Sequence, residues 1–251
     1  MSRSIFDIVK PLELSRARKF DRDIRIRSFD DFEKVPYNRW PETWKKIFYK
    51  AYPRFDQVTL AKPSNRKFDL YRALMERESC REFSKEPVKL TVFSDLLYYS
   101  IGMRNFIEKD GSTKRFYPSA GARYPLEFYP FVFNIERIKN AIYHYHFKTH
   151  SLEVILRKPF FRQTSIQLSQ SWLRKTAILL VVSAVFDRTE VKYKDRGYRH
   201  ILTEYGHVAQ NFYLVAAALK LGCCSIGGFV DDGLNELLDI DGIVESVIGV
   251  I

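Results

Sequence analysis

Apolar positions are irregular over the first 66 residues and become periodic after them. The early stretch carries Pro11, Pro36, Pro41, Pro53 and Pro63 among many charges, which interrupts any long helix or strand. Trp40, Trp44, Phe48, Tyr49 and Tyr52 fall within it and are expected to pack on a neighbour rather than build a core of their own. We read 1–66 as an N-terminal extension of short helices and 67–251 as the main domain. From Phe68 onward, spacings of three and four predict a helix over 68–78, with Leu70 and Leu74 on one side, and a second over Leu90–Ile101 ended by Gly102. Residues 111–117 read as a polar loop. Aromatic and β-branched runs predict strands at 126–133, 141–147 and 152–156, the last two a hairpin around 148–151, and a buried central strand at 177–186. A helix is predicted over 165–173, and the longest over 198–221, closed by Gly222. A strand at 223–229, a helix over Asp231–Leu238 with an acidic start, and a strand at 245–251 complete the order. Without strict βαβ alternation, this is an α+β pattern, a sheet with helices packed against it.

Lys+Arg total 41 against 30 Asp+Glu, a net charge of +11 at pH 7. The basic residues are interspersed with acidic ones, with no basic block, zinc-finger spacing or aromatic RNA-binding motif. A solvated basic surface is therefore expected, and no nucleic-acid partner. The apolar run at 177–186, broken only by Ser183, is too short to cross a bilayer, and 1–10 lacks the apolar core of a signal peptide. Cys80, Cys223 and Cys224 have no metal-ligand spacing, and the adjacent pair is poorly placed to bridge. A reducing, cytoplasmic setting is expected, with no membrane span and no metal.

Several clusters could carry chemistry. Arg77, Ser79 and Arg81 alternate, so an extended chain would turn two guanidinium forks and a hydroxyl to one side, a set suited to a terminal phosphate. The competing reading is a charged helix end with both arginines paired to Glu78 and Glu82. Between Pro118 and Pro125, the small residues Ser119, Ala120 and Gly121 make either a rigid loop whose backbone can approach a flat ligand or an ordinary turn. Lys192 and Tyr193 lie in a polar segment after the central strand. A lysine amine, ordinarily near ~10.4, becomes a base when desolvated or set among cations, and Arg188, Lys194 and Arg196 are close in sequence. A solvated charged loop is the alternative. On the long helix, His200, Glu204, His207 and Asn211 form one polar stripe opposite Tyr205, Ala209, Phe212 and Ala216, better suited to lining a pocket than to binding metal. His144 and His146 share a strand face and read as structural. Gly227 and Gly228 would let backbone come close to a ligand or make a tight turn, and no G-x-G-x-x-G fingerprint is present.

In order, Arg77-x-Ser79-x-Arg81-x-Phe83, the Pro-Ser-Ala-Gly-Ala-Arg-Tyr-Pro run at 118–125, Tyr143-His144-Tyr145, Lys192-Tyr193, Gly206-His207-x-Ala209-Gln210-Asn211 and Ile226-Gly227-Gly228-Phe229-x-Asp231-Asp232 resemble the nitroreductase-like FMN enzymes. Within these the run is similar to the SagB-type dehydrogenases, whose known members include azoline oxidases of thiazole/oxazole-modified peptides. The resemblance covers about 40–251. It implies a homodimeric α+β fold with a mostly antiparallel central sheet and FMN at the subunit interface. By the resemblance, Arg77, Ser79 and Arg81 take the ribityl phosphate, and Pro118, Ser119, Ala120 and Gly121 border the isoalloxazine. Gln210 and Asn211 reach the flavin or its pocket, and Gly227 and Gly228 admit backbone close to it. Lys192 serves as base and Tyr193 orients the ring or relays a proton. The implied activity is oxidation of thiazoline or oxazoline rings in a leader-bearing peptide, in natural-product biosynthesis with a cyclodehydratase partner that the extension would dock. Another FMN oxidoreductase, acting on a small molecule or a different modified peptide, is the alternative. A scaffold without flavin is a third reading, against which the intact Arg-Ser-Arg and Lys-Tyr sets argue. Glu78 stands where relatives often carry another Arg, and many relatives continue past the position of Ile251; both departures imply weaker FMN binding.

Overall fold

The computed structural model describes residues 15–26, 35–45, 47–65, 67–107, 113–158, 160–168 and 170–251. Helices α1 (Arg16–Asp23) and α2 (Glu42–Lys45) and strand β1 (Gln57–Thr59) precede α3 (Leu70–Glu76) and α4 (Leu90–Ile101). Strands β2 (Met103–Ile107) and β3 (Thr113–Arg115) pair as a small sheet of their own. There follow β4 (Leu126–Val132), β5 (Ala141–His146), β6 (Ser151–Leu156), α5 (Phe161–Ile166), β7 (Ile178–Val185), α6 (Asp187–Tyr193), α7 (Arg196–Leu219), α8 (Asp231–Leu238) and β8 (Glu245–Val250).

The main sheet runs β1-β6-β5-β4-β7-β8, antiparallel at each pairing, as the α+β reading expects. Its central strands are covered on both faces, which is why they read as unbroken apolar runs rather than as alternation. Leu126, Phe128 and Val132 of β4 pack with Phe93, Leu97 and Phe212 of α4 and α7. Tyr129 and Phe131, one position out of phase, pack on the other side with Phe160, Leu234 and Leu238. The extension contributes β1 to the edge of this sheet, through Val58 opposite Leu152.

Some expected elements differ. Helix α3 is shorter than 68–78: the Asp69 carboxylate caps it by accepting from the Tyr71 and Arg72 N–H groups, and Arg77 is already extended at φ −65°, ψ 129°. Its apolar side is not covered, for Leu70, Tyr71, Leu74 and Met75 are exposed. The helix expected over 165–173 is replaced by α5 and a 3-10 turn at Ser171–Lys175, because Leu168 between them bridges to Phe229. Helix α7 starts earlier and ends at Leu219. Lys220 takes the left-handed conformation at φ 58° and its N–H caps the Ala216 and Ala217 carbonyls, a role expected of Gly222. Residues 223–229 form no strand, only single bridges from Ile226 to Val250 and from Phe229 to Leu168. Part of the expected polar loop is β3, while residues 111–112, like 1–14 and 27–34 of the extension, lie outside the described residues.

Candidate functional site

Strand β7 turns at Phe186 straight into α6, whose first turn carries Asp187 and Glu190, charges that suit a helix N-terminus. Lys192 and Tyr193 therefore sit on a helix, not in the polar loop their composition indicated. Facing them is the 118–125 loop. Gly121 is left-handed at φ 59°, and a Cβ built on it would lie 2.6 Å from the Tyr193 hydroxyl and 3.2 Å from Lys192 Nζ. The backbone conformation favours glycine there, and a Cβ would push on the ends of both side chains. Sequence-distant motifs are thus brought together. Pro118 and Gly121 are exposed and Ser119 and Ala120 half-buried, so the loop offers its backbone to solvent beside the Lys-Tyr pair.

The loop is fixed from within. Ser119 Oγ donates to the Glu204 carboxyl at 2.5 Å and accepts from the Tyr124 N–H at 2.8 Å. Glu204 is buried among Ile201, Val208 and Phe212 on α7, and burial pushes its carboxyl up to about 8 against the pull of Ser119, Arg115 and Arg188. The polar stripe expected on α7 is accordingly split: Glu204 faces inward and His207 outward. Asn211 donates to the carbonyls of Ser100 and Phe116, at 3.2 and 3.3 Å, tying α7 to α4 and to the approach of the loop, while its neighbour Gln210 is exposed.

The Lys192 amine is held below the usual lysine range by burial and by the Arg123 guanidinium. Arg188, expected to supply that repulsion, instead pairs with Glu127 at 2.6 Å. The Tyr193 phenol is raised by burial, opposed by Arg123. Trp40 of the extension lays its ring over Lys192 Nζ at 3.8 Å. Trp40 and Arg123 are the members of this site to which sequence reasoning gave no role, whereas Glu204 was read in the polar stripe of α7. The tryptophans of the extension, read only as packing residues, were the available signal. His144 is structural as expected: its two ring nitrogens meet Glu127 at 2.9 Å and Glu153 at 2.7 Å.

The second cluster lies further along α7. The segment after Arg77 is pinned to 222–225 by the Cys80 N–H donating to the Cys223 carbonyl at 3.0 Å. Ser79 Oγ lies 3.2 Å from the Tyr213 hydroxyl, which accepts from the Ser225 N–H at 2.8 Å, and the Arg77 guanidinium lies 5.7 Å from the Tyr213 ring centre. The charged-helix-end reading fails, since among the described residues no ion pair joins Arg77 or Arg81 to Glu78 or Glu82. Arg81 is exposed, as are Gly227 and Gly228, and a Cβ on Gly227 would meet nothing within 4 Å. From Glu204, which holds the 118–125 loop, to Tyr213, which holds Ser79, is nine residues of α7, about 14 Å of helix rise. The 118–125 loop with its facing amine and phenol thus meets α7 at Glu204, and Arg77 and Ser79 meet the same helix at Tyr213.

Among the described residues no group of His, Cys, Asp and Glu is placed to hold a metal ion, and no helix is long and apolar enough to cross a membrane.

The profile of the Nitroreductase family matches residues 74–251. The chain is 34% identical over 186 residues to MJ1384 of Methanocaldococcus jannaschii, named as a nitroreductase, covering 74% of this chain and 91% of that one. It is 32% identical over 142 residues to the microcin B17-processing protein McbC of Escherichia coli, covering 52% of this chain and 50% of McbC, so that it spans about half the length of that relative. Among solved structures, a chain of the E. coli microcin synthetase McbBCD complex with truncated pro-MccB17 bound superposes with a TM-score of 0.61 at 23% identity, over 99% of this chain and 96% of that one. A profile matching more than half of its length, two motifs meeting across Gly121 and the antiparallel sheet agree: the chain belongs to the nitroreductase family.

Proposed function

We propose that this protein binds FMN and oxidises azoline rings in a ribosomally made peptide to azoles. The observation that carries the reading is the meeting of Lys192 Nζ and the Tyr193 hydroxyl at Gly121 of the exposed 118–125 loop. The donor set fits the cofactor. Arg77 and Arg81, without carboxylate partners among the described residues, and the Ser79 hydroxyl suit a phosphate dianion. Pro118, Ser119, Ala120 and Gly121 would border the ring system, with Gln210 and Asn211 of α7 and the open backbone at Gly227 and Gly228 along its length. FMN bound there supplies the acceptor for the hydride lost by the azoline.

The chain's own residues handle the proton. Lys192, lowered by burial and by Arg123, accepts a ring proton at Nζ, and the raised Tyr193 phenol stays protonated and donates a hydrogen bond that orients the ring. Loss of one hydride and one proton converts azoline to azole. A peptide substrate and cyclodehydratase partners are supported by the fold shared with a chain of a synthetase complex that holds a pro-peptide, the 1–66 extension serving as the docking element beside a 67–251 catalytic domain. A homodimer is supported by the uncovered side of α3, where Tyr71 is 79% and Met75 87% exposed. Three free cysteines suit a cytoplasmic setting.

Lys192→Ala is expected to keep the flavin absorbance spectrum and to lose about 100-fold or more of azoline oxidation, within the range for removal of a general base. Unchanged turnover overturns the role. The nitroreductase name of the M. jannaschii relative favours a second reading, reduction of a small molecule by NAD(P)H. Consumption of NAD(P)H with a nitroaromatic, together with no turnover of azoline peptide, selects it.

A further inference from the structure

The segment 35–45 does not stand apart from the catalytic face. The Trp40 indole N–H donates to the Val35 carbonyl at 2.9 Å, and Trp44 stands edge-on to Trp40 at 5.9 Å. Trp44 in turn donates its indole N–H to the Val191 carbonyl at 3.0 Å, one residue before Lys192. Arg123, buried in the loop that faces Lys192, ties down the same segment. Its guanidinium donates to the Trp44 carbonyl at 2.8 Å, to the Thr43 carbonyl at 3.0 Å and to the Arg188 carbonyl on α6. Further along, Lys50 binds Glu245 at 2.5 Å and the Tyr52 N–H donates to Glu153 at 2.9 Å, so the segment is anchored beyond α2 as well.

The Lys192 amine thus lies between two surfaces, the Trp40 ring at 3.8 Å and the space beside Gly121 at 3.2 Å. A lysine stem has four rotatable bonds and loses much freedom when held. An indole face attracts an ammonium and excludes water from it at once. We propose that Trp40 is a positioning residue for Lys192, and that with Arg123 it makes 35–45 the outer wall of the compartment holding the amine over the 118–125 loop. This rests on the reading of Lys192 as the base, yet the wall itself has a readout that does not depend on turnover.

That readout is the ring current of Trp40. In ¹³C-lysine-labelled protein, the ε-methylene protons of Lys192, assigned through Lys192→Arg, should resonate upfield of the other lysines. Trp40→Leu should return the signal to the bulk position and Trp40→Phe should keep part of the shift. In the azoline assay Trp40→Leu should lower kcat by about 10- to 100-fold, as misplacement of a reacting group does, with KM and the bound-flavin spectrum unchanged, and Trp40→Phe should recover most of it. A Lys192 signal at the bulk position in the unmutated protein overturns the wall. A lost shift with unchanged kcat in Trp40→Leu overturns the positioning role. A Trp40-dependent shift in a protein whose Lys192→Ala variant is fully active supports the wall and removes the base, which separates the two failures.

Discussion

Around Lys192 the cations are partnered: Arg188 meets Glu127 at 2.6 Å, Arg123 lies against three backbone carbonyls, and His144 bridges Glu127 and Glu153. Around Ser79, which meets α7 at Tyr213, Arg77 and Arg81 meet no carboxylate among the described residues, and the Ser79 hydroxyl lies 3.2 Å from the Tyr213 hydroxyl. The first region is assembled by the chain alone, with its amine already placed. The second leaves its guanidiniums without a carboxylate partner among the described residues. Losing a partner in the first therefore costs folding, because a buried charge is stranded. Losing one in the second costs affinity and little else, because water already solvates what remains.

The largest break is expected at Glu127. Its carboxylate is held down to about 2 because Arg188 and His144 outweigh the effect of burial. It also accepts from the Lys50 N–H at 3.3 Å, so it joins the extension, the sheet and α6. Glu127→Gln should cost about 3–5 kcal/mol, the range for stranding one side of a buried pair, or about 6–20 °C in Tm for a chain of this size, read by circular dichroism at pH 7. Its folded value lies below the ordinary carboxylate value of 4.5, so its contribution is complete above that pH and is lost as pH falls toward 2. The variant should have a flatter acid limb. His144 runs the other way. Burial alone would depress it, but the two carboxylates raise it above 6.5, so its contribution is full below that pH and is lost as pH rises through the raised value.

At the open region, Arg77→Ala combined with Arg81→Ala should leave the Tm of the flavin-free protein within about 1–2 °C. FMN affinity should fall by about 10- to 100-fold for each charged hydrogen bond lost, measured by quenching of flavin fluorescence. A fall in apo-protein Tm as large as that of Glu127→Gln would erase the contrast between the regions.

The contrast also sorts what could be read from the chain. The central strands were legible because burial on both faces writes itself locally as apolar runs at 126–133 and 177–186. Residues 223–229 read as a strand from their apolar members, yet they carry Gly227 and Gly228, which weaken a strand, and gain only the Ile226–Val250 and Leu168–Phe229 bridges. Helix α6 reads as polar because it packs on other polar groups, so its period is hidden. Arg77 and Ser79 do share a side, both meeting Tyr213, because extended chain displays alternate residues together. That Trp44 reaches Val191, 147 positions away, and that Trp40 covers Lys192, no local pattern encodes. The spacing on α7 grouped Glu204 with His207, but only the packing of α7 tells which of the two meets Ser119.

Glu204 gives the sharpest test, because it is a carboxyl of the closed region whose charge works against the fold. Burial lifts its carboxyl to about 8, above the ordinary value of 4.5, so the protein favours the protonated form. The stability this preference contributes is complete below pH 4.5 and is lost as pH rises through about 8. The unmutated protein should therefore soften between pH 5 and 9. Glu204→Gln retains a carbonyl to accept the Ser119 hydroxyl and removes the ionisation. Its Tm should match the unmutated protein at pH 5 within about 1–2 °C and exceed it at pH 9, by about 2–4 °C for each kcal/mol of ionisation cost removed. Thermal unfolding curves across that pH range check this, and parallel curves would place the carboxyl in water rather than behind Ser119. Arg77→Ala, in the open region, should keep the unmutated slope, since it leaves the buried Glu204 carboxyl in place.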